Sequence, residues 1–142
     1  MIICNRPDLL CPWVELGIYG FTRGYDGTSK AIGYILDDKL IAAVTYSNFS
    51  AREDGTFFNL EMGVYSIDKR WCNRQYLRTV FAYPFIGLGS KRVQTVCSAE
   101  DEGVIMFNQR LGFTQEGRHR NAWHDGQDSI SWSMLKGECQ WL

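Results

Sequence analysis

Two stretches hold side chains suited to chemistry. The segment Lys69-Arg70-Trp71-Cys72-Asn73-Arg74-Gln75-Tyr76-Leu77-Arg78 sets four basic residues where an apolar periodic run begins. A helix start presents unbonded N–H groups and about half a positive charge, which suits an anion. Arg70 and Arg74 can add charge-assisted bonds to phosphate oxygens. The same arginines can instead be solvated or paired with local acids. Upstream lies Glu61, a carboxylate able to serve as a general base; the alternative is an ordinary exposed strand glutamate. Cys72, beside Arg70 and Arg74 at the helix start, has surroundings that favour a thiolate, but no histidine or acid partner can be assigned to it and it reads as structural. His119 and His124 are the only histidines, the residue type suited to acid–base work at physiological pH, yet their polar neighbourhood reads as surface. Neither histidines nor cysteines show metal-ligand spacing, so no metal is expected.

The elements around these residues follow from hydrophobic periodicity. Phe58, Leu60, Met62 and Val64 alternate with Phe57, Asn59, Glu61, Gly63 and Tyr65, as in a strand with two distinct faces. Gly63 marks a bulge or a close backbone approach. Leu77, Val80, Phe81, Pro84, Phe85 and Leu88 form a helical stripe, with Pro84 loosening its last turn and Gly87 and Gly89 ending it. Residues 92–98 are a strand. Val104, Phe107 and Leu111 mark one face of a second helix that Gly112 stops. Residues 113–117 and 129–135 are further strands. Toward the N-terminus, Ala31–Leu36 and Leu40–Phe49 pair as a hairpin through Asp37-Asp38-Lys39. Residues 7–19 have helical spacing, with a break or late start near residue 11 because Pro12 would sit inside. Residues 20–29 read as a loop. The whole reads as one α+β domain.

Bulk properties agree with this. The 142 residues suit one core. A net charge of −1 argues against a nucleic-acid binder. No apolar run approaches the ~20 residues that span a bilayer, and none makes a signal peptide. Five cysteines without a CxxC pair read as reduced thiols in a cytoplasmic protein.

The order strand, basic turn, helix, strand, helix, strand, with Leu111-Gly112-Phe113, Glu116-Gly117 and Arg120 placed after the second helix, resembles the second half of the GNAT acyltransferase superfamily. Together with Trp71 and the ending Glu138-Cys139-x-Trp141, the set looks most like the small GNAT-like proteins of tailed bacteriophages, which implies a host cytoplasm. The resemblance covers roughly residues 30–142. It implies a mixed, mainly antiparallel sheet flanked by helices, acetyl-CoA as co-substrate, and a small-molecule or protein amine as acceptor. It also implies that main-chain groups of Tyr65, Ser66 and Ile67 hold the pantetheine arm, and that the turn Arg70, Trp71, Cys72, Asn73 and Arg74 holds the pyrophosphate.

Two departures stand out. Family members carry glycines in that turn, and here no glycine occurs between Gly63 and Gly87. Many members also carry an asparagine near the start of the next helix and a tyrosine before Leu-Gly-Phe, the latter a general acid for the leaving thiolate. Asp101 and Asn108 occupy those positions, and an amide cannot donate a proton as a phenol does; Asn108 joins the expected coenzyme-binding set. These departures leave a second reading open: a GNAT fold kept as a binding or assembly module, with Trp132 and Trp141 at an interface. A homodimer fits either reading.

Overall fold

A computed structural model describes residues 1–142. The sheet is built from β1 (Ile2–Ile3), β2 (Lys30–Leu36), β3 (Lys39–Ala51), β4 (Phe57–Ser66), β5 (Arg92–Ser98), β6 (Thr114–His119) and β7 (Ser129–Leu135). Its spatial order is β1-β2-β3-β4-β5-β7-β6, and every neighbouring pair is antiparallel except β4 and β5. The helices are α1 (Pro7–Tyr19), α2 (Arg74–Ala82) and α3 (Glu102–Leu111). The fold is therefore the expected α+β arrangement. No helix is long and apolar enough to cross a membrane.

Local chemistry accounts for the boundaries. Asp37 and Asp38 both hold positive φ, 53° and 60°, the two-residue hairpin geometry that matches strand twist. Asn73 and Asp101 cap α2 and α3, their side chains accepting from the Tyr76 and Val104 N–H groups. Gly112 closes α3 with φ 106°. The α2 stripe continues as one π-helical turn, Tyr83–Gly87, in which Leu88 N–H reaches back to Tyr83 O. Pro84, with no N–H to give, sits in that turn.

One expectation is corrected here and one pair of alternatives is resolved. Helix α1 starts at Pro7 and runs through Pro12 without a break. Pro12 stands in the second turn and forgoes the bond its N–H would have made to Asp8 O, a loss the helix absorbs without ending. At Gly63 the reason for glycine is a close approach: an added Cβ would lie 2.8 Å from Thr45 Oγ1. The bulge is instead on β3, where the register shifts between Ser47 and Ser50 and Asn48 has φ 50°.

The sheet separates two apolar layers. On one face α1 buries Leu10, Cys11 and Val14 against Ala31 and Ala43. On the other, α2 and α3 cover a larger core that contains Val44, Leu60, Met62, Tyr76, Phe81 and Trp132. Two buried tyrosines are paired through their hydroxyls: Tyr46 donates to Val80 O and Tyr76 to Ile32 O, each at 2.6 Å. Trp132 is 1% exposed and Trp141 donates from Nε1 to Leu111 O at 2.9 Å. Trp132 is interior, which removes it from the expected interface; Trp141 is half-buried in the closing turn.

Candidate active site

Strands β4 and β5 run parallel and are paired in register at one point, Glu61 opposite Gln94. Below that point side chains tie them together. Arg92 Nη1 donates to Asn59 Oδ1 (2.7 Å) and Gln94 Oε1 (2.8 Å), Asn59 Nδ2 donates to Gln94 Oε1 (3.0 Å), and Arg92 also bonds to Glu116. Beyond it the strands part. The gap opens into a cleft of about 850 Å³ that passes from α1 (Glu15, Tyr19) between the strands to α3 (Phe107, Asn108).

The phase of β4 decides which peptide groups face the gap. Ile67 N–H donates to Ile41 O on β3 at 2.9 Å. Main-chain direction alternates along an antiparallel ladder. Tyr65 and Ile67 therefore turn their N–H groups to β3, and Val64 and Ser66 turn theirs to the cleft. Of the expected trio Tyr65, Ser66 and Ile67, only Ser66 presents its main chain to the gap; Val64 joins it. That parity depends on the β3–β4 register, which no sequence pattern discloses. The Tyr65 side chain packs edge-on to Trp13 under α1.

Glu61 lines the cleft and is half-buried; its Oε2 accepts from Asn48 Nδ2 at 3.0 Å. The bulge at Asn48 aims that amide. Nearby, Tyr19, Trp123 and His124 form an aromatic cluster with centroids 5.3–5.5 Å apart. Burial, followed by the negative charge of Glu61, raises the Tyr19 pKa. This end of the cleft, with Glu15, Glu61, Tyr19 and Trp123, combines carboxylates with ring faces and suits a cationic amine. The helical spacing of α1 includes Tyr19; Trp123 and Asn48 carry no sequence signal.

Solved structures similar to this one include acetyltransferases. A point variant of the spermidine N-acetyltransferase SpeG of Vibrio cholerae superposes with a TM-score of 0.72 at 15% identity, covering 100% of this chain and 97% of that one. The ribosomal-protein-S5-alanine acetyltransferase of Vibrio fischeri gives 0.62 at 19%, covering 82% and 65%. The ribosomal L7/L12 alpha-N-protein acetyltransferase RimL, solved in complex with coenzyme A, gives 0.61 at 13%, covering 77% and 63%. The chain has the GNAT fold. It spans less than two thirds of the length of the first structures matched, 62% and 65%. No protein-family model and no curated protein matches its sequence.

In the turn before α2 the residues expected to hold a pyrophosphate divide sharply. Arg74 is exposed and makes no ion pair. The first bond into α2 runs from Leu77 N–H to Asn73 O, so the Arg74 and Gln75 N–H groups precede the intrahelical ladder. Arg70 is otherwise engaged: its guanidinium bonds to Asp68 at 2.7 Å and Asp37 at 3.3 Å. Asn73 spends its side chain on capping Tyr76 N–H and bonding the Arg70 carbonyl. Trp71 is buried, 5.3 Å from Phe107, and belongs to the core wall of the cleft. Cys72 is exposed and partial burial of its sulfur raises its pKa, which corrects the thiolate expectation; Arg70, one of the two arginines that would lower it, is bonded to Asp68 and Asp37.

Asn108, one turn before the end of α3, is buried and lines the cleft where the strands part. Its Nδ2 has no hydrogen-bond partner. His119 is exposed and bonds to Ser131 Oγ at 3.0 Å, outside the cleft. No group of three His, Cys, Asp or Glu side chains is arranged to hold a metal.

Proposed function

We propose that the chain is an acyl-CoA-dependent N-acyltransferase that moves an acetyl group directly to a primary amine. The observation that carries this is the parting of β4 from β5 beyond Glu61 and Gln94, which leaves Val64 and Ser66 as an unpaired strand edge inside a cleft. Such an edge binds an extended amide chain as an added strand, and a pantetheine arm is one. The free N–H groups of Arg74 and Gln75 at the start of α2 fit the same ligand.

When bound, acetyl-CoA supplies an acyl group activated as a thioester. Val64 and Ser66 hold the arm; Arg74, Arg78, Lys69 and the α2 N-terminus face the pyrophosphate, with side chains standing in for the missing glycine contacts. Glu61, oriented by Asn48, takes the proton of the incoming amine, directly or through water. The acceptor enters from the α1 side, between Glu15, Tyr19 and Trp123. It is a small amine or an amine of a protein. A host cytoplasm is the compartment that goes with the phage-like resemblance.

Isothermal titration with acetyl-CoA and with CoA tests the reading. Micromolar binding that weakens in Arg74→Ala is the expected result. No binding at millimolar ligand would overturn it and direct attention to protein partners.

A further inference from the structure

We infer that the acceptor is a free amino acid, held by its carboxylate on Arg23 while its amine is presented to Glu61. This rests on the acyltransferase reading above. Arg23 is the one cation that lines the cleft. Each carboxylate there already has a partner in the chain. Glu15 accepts the Arg23 main-chain N–H, Asp26 the Thr28 and Ser29 N–H groups, Asp101 the Val104 N–H and Glu61 the Asn48 amide. The Arg23 guanidinium has none. It forms no ion pair and no hydrogen bond, and it is exposed at the cleft. A guanidinium offers a planar fork of donors that matches a carboxylate.

The backbone keeps this cation at the acceptor end. Glu15 on α1 fixes the Arg23 N–H at 3.2 Å, and the Gly24 N–H closes a turn on Thr22 Oγ1 at 3.0 Å. Phe21 packs on Tyr19 and His124, with ring centroids 5.9 and 5.8 Å away. Tyr19 stands beside both charges: burial and then Glu61 raise its pKa, and Arg23 opposes them. A base for an ammonium and a seat for a carboxylate thus neighbour one ring. An amino acid brings both charges in one small molecule. A diamine would set its second cation against Arg23, and a peptide N-terminus carries an amide where the carboxylate should be. In the transfer the ammonium proton goes to Glu61 and the freed amine nitrogen attacks the thioester carbonyl. The C–N bond forms, the C–S bond breaks and the bonding pair leaves on the coenzyme A sulfur. The carboxylate stays on Arg23 throughout.

The test follows thiol release from acetyl-CoA with each amino acid, with its α-amide and with a linear diamine, while CoA affinity is measured in parallel. The amide has the less basic amine and so more free amine near neutral pH. A preference for the acid therefore reports the carboxylate. The wild type should use at least one amino acid with kcat/KM about tenfold above that of its amide. Arg23→Gln should bring that ratio to about one, Arg23→Lys should keep part of it, and Arg23→Glu should favour the diamine. Arg52→Gln, changed outside the cleft, should keep the wild-type ratio. With CoA bound, transfer to no amino acid, a wild-type preference for the amide, or a ratio unmoved by Arg23→Gln overturns the inference and leaves the coenzyme reading standing. Absence of CoA binding in the wild type overturns both.

Discussion

Glu61 and Gln94 are the single registered pair between β4 and β5, and the Arg92–Asn59–Gln94 network lies directly on the closed side of it. The network fixes where the strands separate. Arg92→Leu leaves the Asn59 and Gln94 carbonyl oxygens short of a donor and Glu116 unpaired. It should destabilise the fold by about 1–2 kcal/mol, a figure kept low because Glu116 is open to water. CoA affinity should fall as well, because the gap is no longer held at one width. Urea unfolding together with titration checks this; a loss of stability with unchanged affinity would make the network purely structural.

Glu61→Gln keeps the shape and an acceptor for Asn48 Nδ2 but removes the base. Turnover should fall about 10²-fold or more, with CoA affinity essentially unchanged. The measurement is steady-state acetylation once an acceptor amine is in hand, with binding measured in parallel. Unaltered turnover would remove Glu61 from the mechanism.

The two arginines of the turn should behave differently, although the sequence makes them look alike. Arg74→Ala should weaken CoA binding roughly tenfold, as loss of one charge-assisted bond does. Arg70→Ala should weaken it far less, because Asp68 and Asp37 already neutralise that guanidinium. Equal losses in the two variants would mean that Arg70 leaves its carboxylates when ligand binds.

This pair shows where sequence legibility stops. Periodicity discloses β4, α2, α3 and the hairpin, because each buries one continuous apolar face. The catalytic candidate Glu61 is legible because it alternates out of that face. The fates of Arg70, Trp71, Cys72 and Asn73 are not, since four adjacent residues in a turn point four ways, set by Asp37 from a distant hairpin and Phe107 from α3. Which main-chain groups face the cleft is likewise a matter of strand register. The two-residue β1 is too short to carry a period, and it exists only because Ile2 and Ile3 pair with Tyr34 and Gly33.

Acid should unfold the protein through identifiable carboxylates. Asp68 is held down to about 2 by its bonds with Arg70, and Asp26 to about 2 by the Thr28 and Ser29 N–H groups. Both ordinarily titrate at 3.8. Depressed folded-state values mean that the unfolded chain binds protons first. The stability these groups contribute is complete above pH ~4 and is lost as pH falls toward ~2. Urea midpoints measured from pH 5 to pH 2 should therefore fall most steeply below ~4, and less steeply in Asp26→Asn and Asp68→Asn. Identical slopes in all three proteins would show that neither interaction survives in solution.

Helix α1 sets the acceptor end of the cleft, and Gly17 sets how closely it sits on the sheet. A Cβ at that position would lie 2.3 Å from the Tyr65 ring, so the ring or the helix must move. In a helix interior, alanine would otherwise be better than glycine by about 1 kcal/mol. Gly17→Ala should instead destabilise the protein by about 1–3 kcal/mol, and the same change in a Tyr65→Ser background should be neutral or stabilising. The reversal of sign between backgrounds, read from urea unfolding, is the diagnostic result. Gly17→Ala alone should also lift the C-terminal end of α1, carrying Tyr19 away from Glu61, and so raise the acceptor KM with little change in CoA affinity. A stabilising Gly17→Ala in the wild-type background would mean that α1 does not rest on β4 as closely as this packing requires.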